Sequence, residues 1–126
     1  MSVVVPVFNG LPHLTVLAES ILAQTHGFLD VVFVDGGSSD ESLSFLQSIA
    51  DPRVRVLTNP KGTSAAANWD AASQSAHGAF IKLVCQDDVL HPDAIAKQVD
   101  DLEANPTAVM AVAQRDIIDA RGSVVY

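Results

Sequence analysis

Short apolar runs alternate with helical patterns along most of this chain, and that alternation restricts the possible folds more than any other feature. The runs are rich in β-branched residues and are bounded by turn residues, which is typical of buried strands. Strands alternating with helices predict an α/β domain with a doubly wound, mostly parallel sheet and right-handed crossovers. The predicted strands cover residues 2–8, 29–34, 53–58, 80–85 and 109–113.

Four helices are predicted between these strands. The first ends near Gly27, the second before residues 51–52, the third spans residues 63–75, and the fourth begins at Pro92. The strand at 53–58 alternates arginine with valine and is expected nearer the sheet edge. The strand at 80–85 is mostly apolar and is expected to be fully buried. Residues 117–126 predict a closing β-hairpin.

Composition and charge indicate a single globular domain and exclude several classes of partner. The 126 residues are 48% hydrophobic and 17% charged, so a packed core is expected. The net charge of −8 argues against a nucleic-acid or anionic-membrane surface, which needs a basic patch. One cysteine cannot form an internal disulfide, and the four histidines show no metal-ligand spacing. Because no signal peptide or membrane span is visible, a cytoplasmic location is the default expectation.

Polar residues follow three of the predicted strands at the point where each ends. Asn9 follows the first strand, Asp35 the second, and Asp87 and Asp88 the fourth. The carboxyl ends of parallel strands lie on one rim of the sheet, where ligands of such sheets bind. An acid at that rim can accept hydrogen bonds from a ribose or a base, and an acid pair can hold Mg²⁺ or Mn²⁺. An acidic loop or a helix cap explains each acid singly, and both interpretations stay open here.

Four segments in this order resemble the successive signatures of family 2 glycosyltransferases with the Rossmann-like GT-A fold. Each segment is a weak signal alone, but four in the right order with the right elements between them are specific. The resemblance covers nearly the whole chain, which corresponds to the nucleotide-sugar-binding half of that family's domain. The segments are Val3-Val4-Val5-Pro6-Val7-Phe8-Asn9, Val32-Phe33-Val34-Asp35-Gly36-Gly37-Ser38-Ser39-Asp40, Asn59-Pro60-Lys61-Gly62 leading to Ala66-Ala67-Asn68-Trp69, and Cys85-Gln86-Asp87-Asp88-Val89-Leu90-His91-Pro92.

The resemblance implies a transferase that uses a nucleotide-diphosphate sugar, such as a UDP-sugar, with a divalent cation and with inversion at the sugar. In that family the first segment lines the nucleotide pocket and the acid after the second strand hydrogen-bonds the base, which assigns Asp35 to the base. Asn68 is expected to shape the nucleotide side, with a helix-packing role as the open alternative. The residues expected to line the pocket are Pro6, Val7, Phe8 and Asn9.

The same resemblance assigns Asp87 as the ligand of Mg²⁺ or Mn²⁺, with Asp88 beside the metal in a supporting position. Two positions depart from the family pattern. Cys85 replaces the first acid of the Asp-X-Asp metal motif, and Gly36 replaces the second acid of the common Asp-Asp-Gly-Ser run. These departures predict weaker metal binding than the complete set of acids provides.

The family's catalytic base and acceptor site belong to the second half of its domain, which is expected beyond Tyr126. The chain is therefore predicted to be a truncated piece that is inactive alone, with an open sheet edge that favours homodimers. The acceptor, a saccharide, a lipid-linked sugar or a cell-surface glycan, is not specified by the sequence. Membrane association of a longer protein is compatible with this interpretation.

Two other α/β classes fit the sequence less well, and one alternative function stays open. A phosphoacceptor receiver domain needs acids after its first and third strands, where this chain has Asn9 and Asn59. A dinucleotide-binding domain needs Gly-X-Gly-X-X-Gly after its first strand, which residues 9–12 do not supply. A non-catalytic nucleotide-binding or interaction domain of the same fold remains the alternative to an enzyme.

Overall fold

The computed structural model describes residues 1–126 and confirms the predicted alternation of strands and helices. Its four strands form one parallel sheet in the order β3-β2-β1-β4. The longest helix has 11 residues, and no helix has the length and apolar character needed to cross a membrane. In chain order the elements are β1 (Ser2–Val7), α1 (His13–Leu22), β2 (Asp30–Asp35), α2 (Ser42–Gln47), β3 (Val54–Thr58), α3 (Ala65–Gln74), β4 (Ile81–Leu83) and α4 (Ala94–Ala104).

The paired strands β1 and β2 form the centre of the molecule, and both of their faces are covered. One face packs against α1, α2 and α4 in the main hydrophobic cluster, which includes Val5, Phe33 and Leu17. The other face carries Val4 and Val32 in a smaller cluster. That cluster contains Ala72 of α3. Since alternate strand residues face opposite sides, two covered faces require apolar residues at every position, which accounts for the continuous valine runs.

The two outer strands differ from each other in how well the sequence predicted them. β3 lies at one edge, as the alternation of Arg53 and Arg55 with valines indicated. β4 lies at the other edge and has only three residues, so the prediction of a fully buried strand over residues 80–85 is wrong. Ile81 is 53% exposed, whereas Val84, just after the strand, is buried. An apolar run in the sequence does not show whether the strand it forms has a neighbour on both edges.

The predicted fifth strand over residues 109–113 is absent, and the hairpin that follows it is minimal. Val109 is fully exposed, and no strand pairs with this segment. A strand needs a partner for its backbone groups, and β-branched composition alone does not provide one. Within 117–126, one antiparallel bridge joins Ile118 to Val124, and Asp119 accepts backbone hydrogen bonds that close the turn.

A polar network ties three strands together at the amino end of the sheet. Both carboxylate oxygens of Asp30 in β2 accept hydrogen bonds from Arg55 in β3, at 2.8 and 2.9 Å. The hydroxyl of Ser2 in β1 donates to the same carboxylate and accepts from the backbone N–H groups of His77 and Gly78. The hydrogen bonds of Arg55, followed by that of Ser2, lower the pKa of Asp30 to about 2 against the opposing effect of burial.

This network predicts a pH-dependent contribution to stability. Because the folded-state pKa of Asp30 is depressed, the contribution is complete above the unfolded-state value of about 3.9 and is lost as the pH falls through about 2. Asp30→Asn is expected to lower the free energy of unfolding by about 1 kcal/mol at pH 7, since partial exposure weakens the pair. The difference between variant and wild type should shrink towards pH 2 in urea melts. Asp70→Asn, which removes an exposed acid of α3 without an ion pair, is the control and should show no such trend.

Candidate functional site

A cleft of about 520 Å³ lies at the carboxyl end of the sheet. It is bounded by the end of β1, the first turn of α3 and the loop after β4. Its volume is in the range typical of small-molecule pockets. The lining residues are Pro6, Val7, Phe8, Gly36, Thr63, Ala65, Asn68, Trp69, Cys85, Gln86 and Asp87.

The cleft forms because the pairing of β4 with β1 stops before β1 ends. The register of the two strands stops at the pair Val4 and Leu83, with a last backbone hydrogen bond of 3.0 Å from Val84 N to Val4 O. Pro6 comes next on the side of β1 that faced β4, and it has no N–H to continue the pairing. Pro6 therefore lies inside β1 at the point where the sheet opens.

Asn9 lies beside the cleft and holds two loops together. It has a positive φ of 49°, a conformation that asparagine tolerates better than most residues. Its Oδ1 accepts a hydrogen bond from Ser39 N at 2.8 Å, and its own N–H donates to Ser38 Oγ. Asn9 was predicted to line the nucleotide pocket, but it is not among the lining residues and instead connects the loop after β1 to the loop after β2.

Asp35 at the end of β2 is 1% exposed and has two oxygens in different situations. Oδ2 accepts backbone hydrogen bonds from Gly37 and Ser38, both at 3.0 Å, and so caps the turn after the strand. Oδ1 is buried without a hydrogen-bond partner. Asp35 itself does not line the cleft, although its neighbour Gly36 does. A buried carboxylate oxygen without a donor is energetically costly unless a ligand supplies one.

Asn68 of α3 connects the ends of both central strands. Its Nδ2 donates to Val7 O at 3.2 Å and to Val34 O at 3.1 Å, and its Oδ1 accepts from Asn59 Nδ2 at 3.0 Å. A Cβ at Gly36 would approach this Nδ2 to 3.0 Å. Glycine fits at position 36 because a larger side chain would displace the amide of Asn68. Asn68 packs its helix on the sheet and also lines the cleft, so the helix-packing role is observed and the contact with a nucleotide stays a prediction.

The loop after β4 places its two acids differently. Asp88 Oδ2 accepts from the backbone N–H of Cys85 at 3.2 Å, and Asp88 N donates to Cys85 O, so Asp88 closes a tight turn. Asp87 is exposed at the cleft and makes no hydrogen bond or ion pair within the chain. Burial, followed by the nearby charges of Asp88 and Asp87, raises the pKa of the Cys85 thiol, which therefore stays protonated near neutral pH.

Two aromatic residues and one acid line the cleft, and no basic side chain does. Phe8 and Trp69 are 55% and 44% exposed and line it together. Asp87 is the one charged lining residue. The first turn of α3, capped by Ser64, adds partial positive charge from its backbone N–H groups. The arrangement suits a ligand with a flat ring and a negative group accompanied by its own cation.

Sequence reasoning missed Gln86 as a lining residue, together with Thr63 and Ala65. The side-chain amide of Gln86 forms two hydrogen bonds with the backbone of Phe8. The partners are 78 residues apart, and no local pattern in a single sequence indicates such a contact. An acid next to a strand end can be noticed from sequence, whereas a glutamine there has no distinguishing feature.

The structure is a Rossmann-like domain with a cleft at the strand ends, and comparison with known proteins identifies its family. The model of Glycosyl transferase family 2 matches residues 2–124. The chain belongs to that family. It is 30% identical to chondroitin synthase of Escherichia coli over 99% of its own length, and it spans 18% of that protein.

Solved structures confirm the GT-A fold. A mannosyltransferase from Pyrobaculum calidifontis, in complex with GDP-Man and Mn²⁺, has a TM-score of 0.76 and 25% identity. The match covers 84% of this chain and 32% of that one. TarS of S. aureus in complex with UDP-GlcNAc has a TM-score of 0.75 and 21% identity, over 90% of this chain and 36% of the other. This chain thus spans about a third or less of the length of these relatives.

Asn68 provides a test of how the cleft is built. Asn68→Asp places a carboxylate oxygen against the carbonyl oxygens of Val7 and Val34, so we expect the free energy of unfolding to fall by at least about 3 kcal/mol. Chemical denaturation measures it. Asn105→Asp makes the same chemical change at an exposed position, where the amide donates one hydrogen bond to Asp101 O at the end of α4, and it is expected to cost about 1 kcal/mol or less. Similar losses in the two variants would show that the buried amide is not essential to the strand ends.

Proposed function

We propose that this chain is the donor-binding part of a glycosyltransferase that uses a nucleoside-diphosphate sugar. The observation that carries the proposal is the cleft at the strand ends, which is lined by two exposed aromatic residues and by the single carboxylate of Asp87. Membership of glycosyl transferase family 2 supports it, and so do solved relatives whose complexes contain UDP-GlcNAc or GDP-Man. The carboxyl end of a parallel sheet is also the general position of nucleotide sites.

The base is assigned to the side of the cleft with Phe8 and Trp69. Aromatic side chains stack on bases, and both of these residues line the cleft and are exposed. Asp35 Oδ1 supplies a buried acceptor without a donor, which suits a base that presents an N–H beside a carbonyl group, as uracil and guanine do. Because Asp35 is almost fully buried, the base reaches it only if the loop around Gly36 gives way slightly.

Asp35→Asn tests the assignment of the base. The amide oxygen can still cap the turn at Gly37 and Ser38, while the amide nitrogen replaces the free acceptor with a donor. We expect UDP binding to weaken by about tenfold or more, since two donors then face each other. CDP, whose ring nitrogen accepts a hydrogen bond, should lose less or gain. Calorimetric titration of both nucleotides provides the comparison, and a uniform loss for UDP and CDP would contradict the base contact.

The acids after β4 fit a divalent cation that a diphosphate shares. Mg²⁺ and Mn²⁺ prefer oxygen ligands, and Mg²⁺ sites often use one or two carboxylates together with substrate phosphates and water. Asp87 offers an exposed carboxylate, whereas Asp88 is engaged with the backbone N–H of Cys85 and the Cys85 thiol is a poor ligand while protonated. We therefore assign the metal to Asp87 and a supporting role to Asp88. The cation would neutralise the diphosphate in a cleft without lysine or arginine.

Asp87→Asn and Asp88→Asn form a matched pair that tests the metal assignment. The amide keeps the size of the side chain and removes its charge. We expect UDP binding in the presence of Mn²⁺ to fall by about tenfold or more for Asp87→Asn, and clearly less for Asp88→Asn. Titrations without metal serve as the baseline, in which the two variants should differ little. An equal or larger loss at Asp88 would reverse the assignment.

Sugar transfer itself is proposed for a longer protein, with inversion at the sugar. Transfer requires a base within hydrogen-bond reach of the acceptor hydroxyl. Asp87 is the one ionisable acid that lines the cleft, and a carboxylate bound to a metal is a poor base. A non-catalytic nucleotide-binding domain is the second candidate, and it is favoured by the same lack of a second free acid at the cleft.

Residues 1–126 alone are therefore expected to bind a donor without transferring its sugar. The measurement is product formation from UDP-GlcNAc and GDP-Man with a mixture of oligosaccharide acceptors, compared with donor hydrolysis in the same samples. Transfer above the rate of hydrolysis would mean that a base is already present in this chain. The natural protein that contains these residues, assayed in parallel, separates an enzyme from a binding domain.

A further inference from the structure

Gln86 connects Phe8 to the loop that carries Asp87. Its Oε1 accepts a hydrogen bond from Phe8 N at 2.8 Å, and its Nε2 donates to Phe8 O at 3.1 Å. Within residues 85–88 the only other hydrogen bonds join Cys85 to Asp88. Residues 85–88 are thus attached to the rest of the chain by the hydrogen bonds of one side chain, and the next hydrogen bond along this loop joins Leu90 N to Ser20 Oγ.

The position of this side chain follows from the gap that opens the sheet. Along the edge of β1 that faces β4, Ser2 N bonds to Phe80 O and Val4 O accepts from Val84 N. The next residue in that alternation, Pro6, has no N–H, and the pairing stops. Two residues further on, Phe8 pairs with the side chain of Gln86 in place of a strand. The amide therefore spans the opening in which the cleft lies.

The amide is also held from its other side. A Cβ at Gly10 would lie 2.9 Å from Gln86 Oε1 and 3.3 Å from Leu14 Cβ. Glycine at this position leaves room for the amide against the start of α1. The side chain of Gln86 is thus fixed by two hydrogen bonds and by close packing, which is what a group that positions a neighbour requires.

We infer that Gln86 is a positioning residue that holds Asp87 at the distance from Phe8 at which one nucleoside diphosphate can contact both. This inference rests on the proposed function. Asp87 is exposed and has no contact of its own that fixes its carboxylate, so its place in the cleft depends on its neighbour. Groups that orient a metal ligand commonly affect metal affinity by tenfold or more, although they do not touch the metal.

The test compares UDP binding to residues 1–126 with and without Mn²⁺ by calorimetry. Gln86→Met keeps the length of the side chain and removes both hydrogen bonds. The strengthening of UDP binding by Mn²⁺ is expected to fall by about tenfold, in addition to any loss of metal-free binding. Gln98→Met is the matched control, since Gln98 accepts a hydrogen bond from Lys82 outside the cleft, and it should change neither quantity.

A double variant distinguishes a role of Gln86 in positioning Asp87 from a role in stabilising the whole cleft. If Gln86 acts through Asp87, adding Gln86→Met to Asp87→Asn reduces the Mn²⁺ effect by no more than about a further twofold. Hydrogen exchange of the Phe8 amide, measured without metal, should be faster in Gln86→Met. Gly10→Ala is a second route, since its methyl group displaces the amide without altering Gln86, and it should lower the Mn²⁺ effect in the same direction.

The outcomes separate this inference from the proposed function. If wild type responds to Mn²⁺ and Asp87→Asn does not, but Gln86→Met behaves like wild type, the inference is wrong and the proposed function stands. Equal losses with and without Mn²⁺, or additive losses in the double variant, also overturn it, because Gln86 would then act as a brace for the whole cleft. If wild type shows no response to Mn²⁺, the metal assignment and the inference both fail.

Discussion

The parallel pairing of β1 with β2 determines where every other part of the chain lies. Six consecutive residues of each strand are in register, from Ser2 with Asp30 to Val7 with Asp35. Both faces of this pair are buried, so helices must cover both, and the crossovers put all the carboxyl ends on one rim. The amide of Asn68 then fixes that rim by bonding to the carbonyl groups of Val7 and Val34, near the ends of both strands. The cleft is a consequence of these central strands continuing beyond the point at which β4 stops.

The parts of the fold that the sequence predicted are those determined by local pattern. In each of these elements, the spacing of the buried positions is visible in the element's own sequence. Examples are the valine runs of β1 and β2, the apolar face of α1 and the alternation in β3. The incorrect predictions depend on neighbours that a pattern does not reveal. Residues 80–85 and 109–113 have strand-like composition, but the first has a partner on one side through β4 and the second has none. Exposure of Val109 and Met110 follows from that lack of a partner.

The candidate site was predictable at its charged positions and less so at its uncharged ones. Acids at strand ends are visible in sequence, and Asp87 does line the cleft. The burial of Asp35, the loop contacts of Asn9 and the amide pairing of Gln86 all involve partners distant in the chain or main-chain groups, which carry no sequence signature. The family resemblance suggested an acid where Gly36 stands. The contact between that position and Asn68 explains the glycine, since the amide occupies the space that a side chain would need.

An acidic chain that binds an anion needs a source of positive charge, and the structure limits where that charge can come from. The chain carries a net charge of −8, and no lysine or arginine lines the cleft. Two of the uncharged lining residues are already held by hydrogen bonds. The amide of Asn68 bonds through both its oxygen and its nitrogen, and the backbone of Phe8 bonds to Gln86. The carboxylate of Asp87 differs from them, because it has no hydrogen bond or ion pair within the chain. Uncharged residues that are already held in place, beside a carboxylate without a partner, suit a ligand whose ring binds to a preformed surface and whose phosphates bring a cation with them.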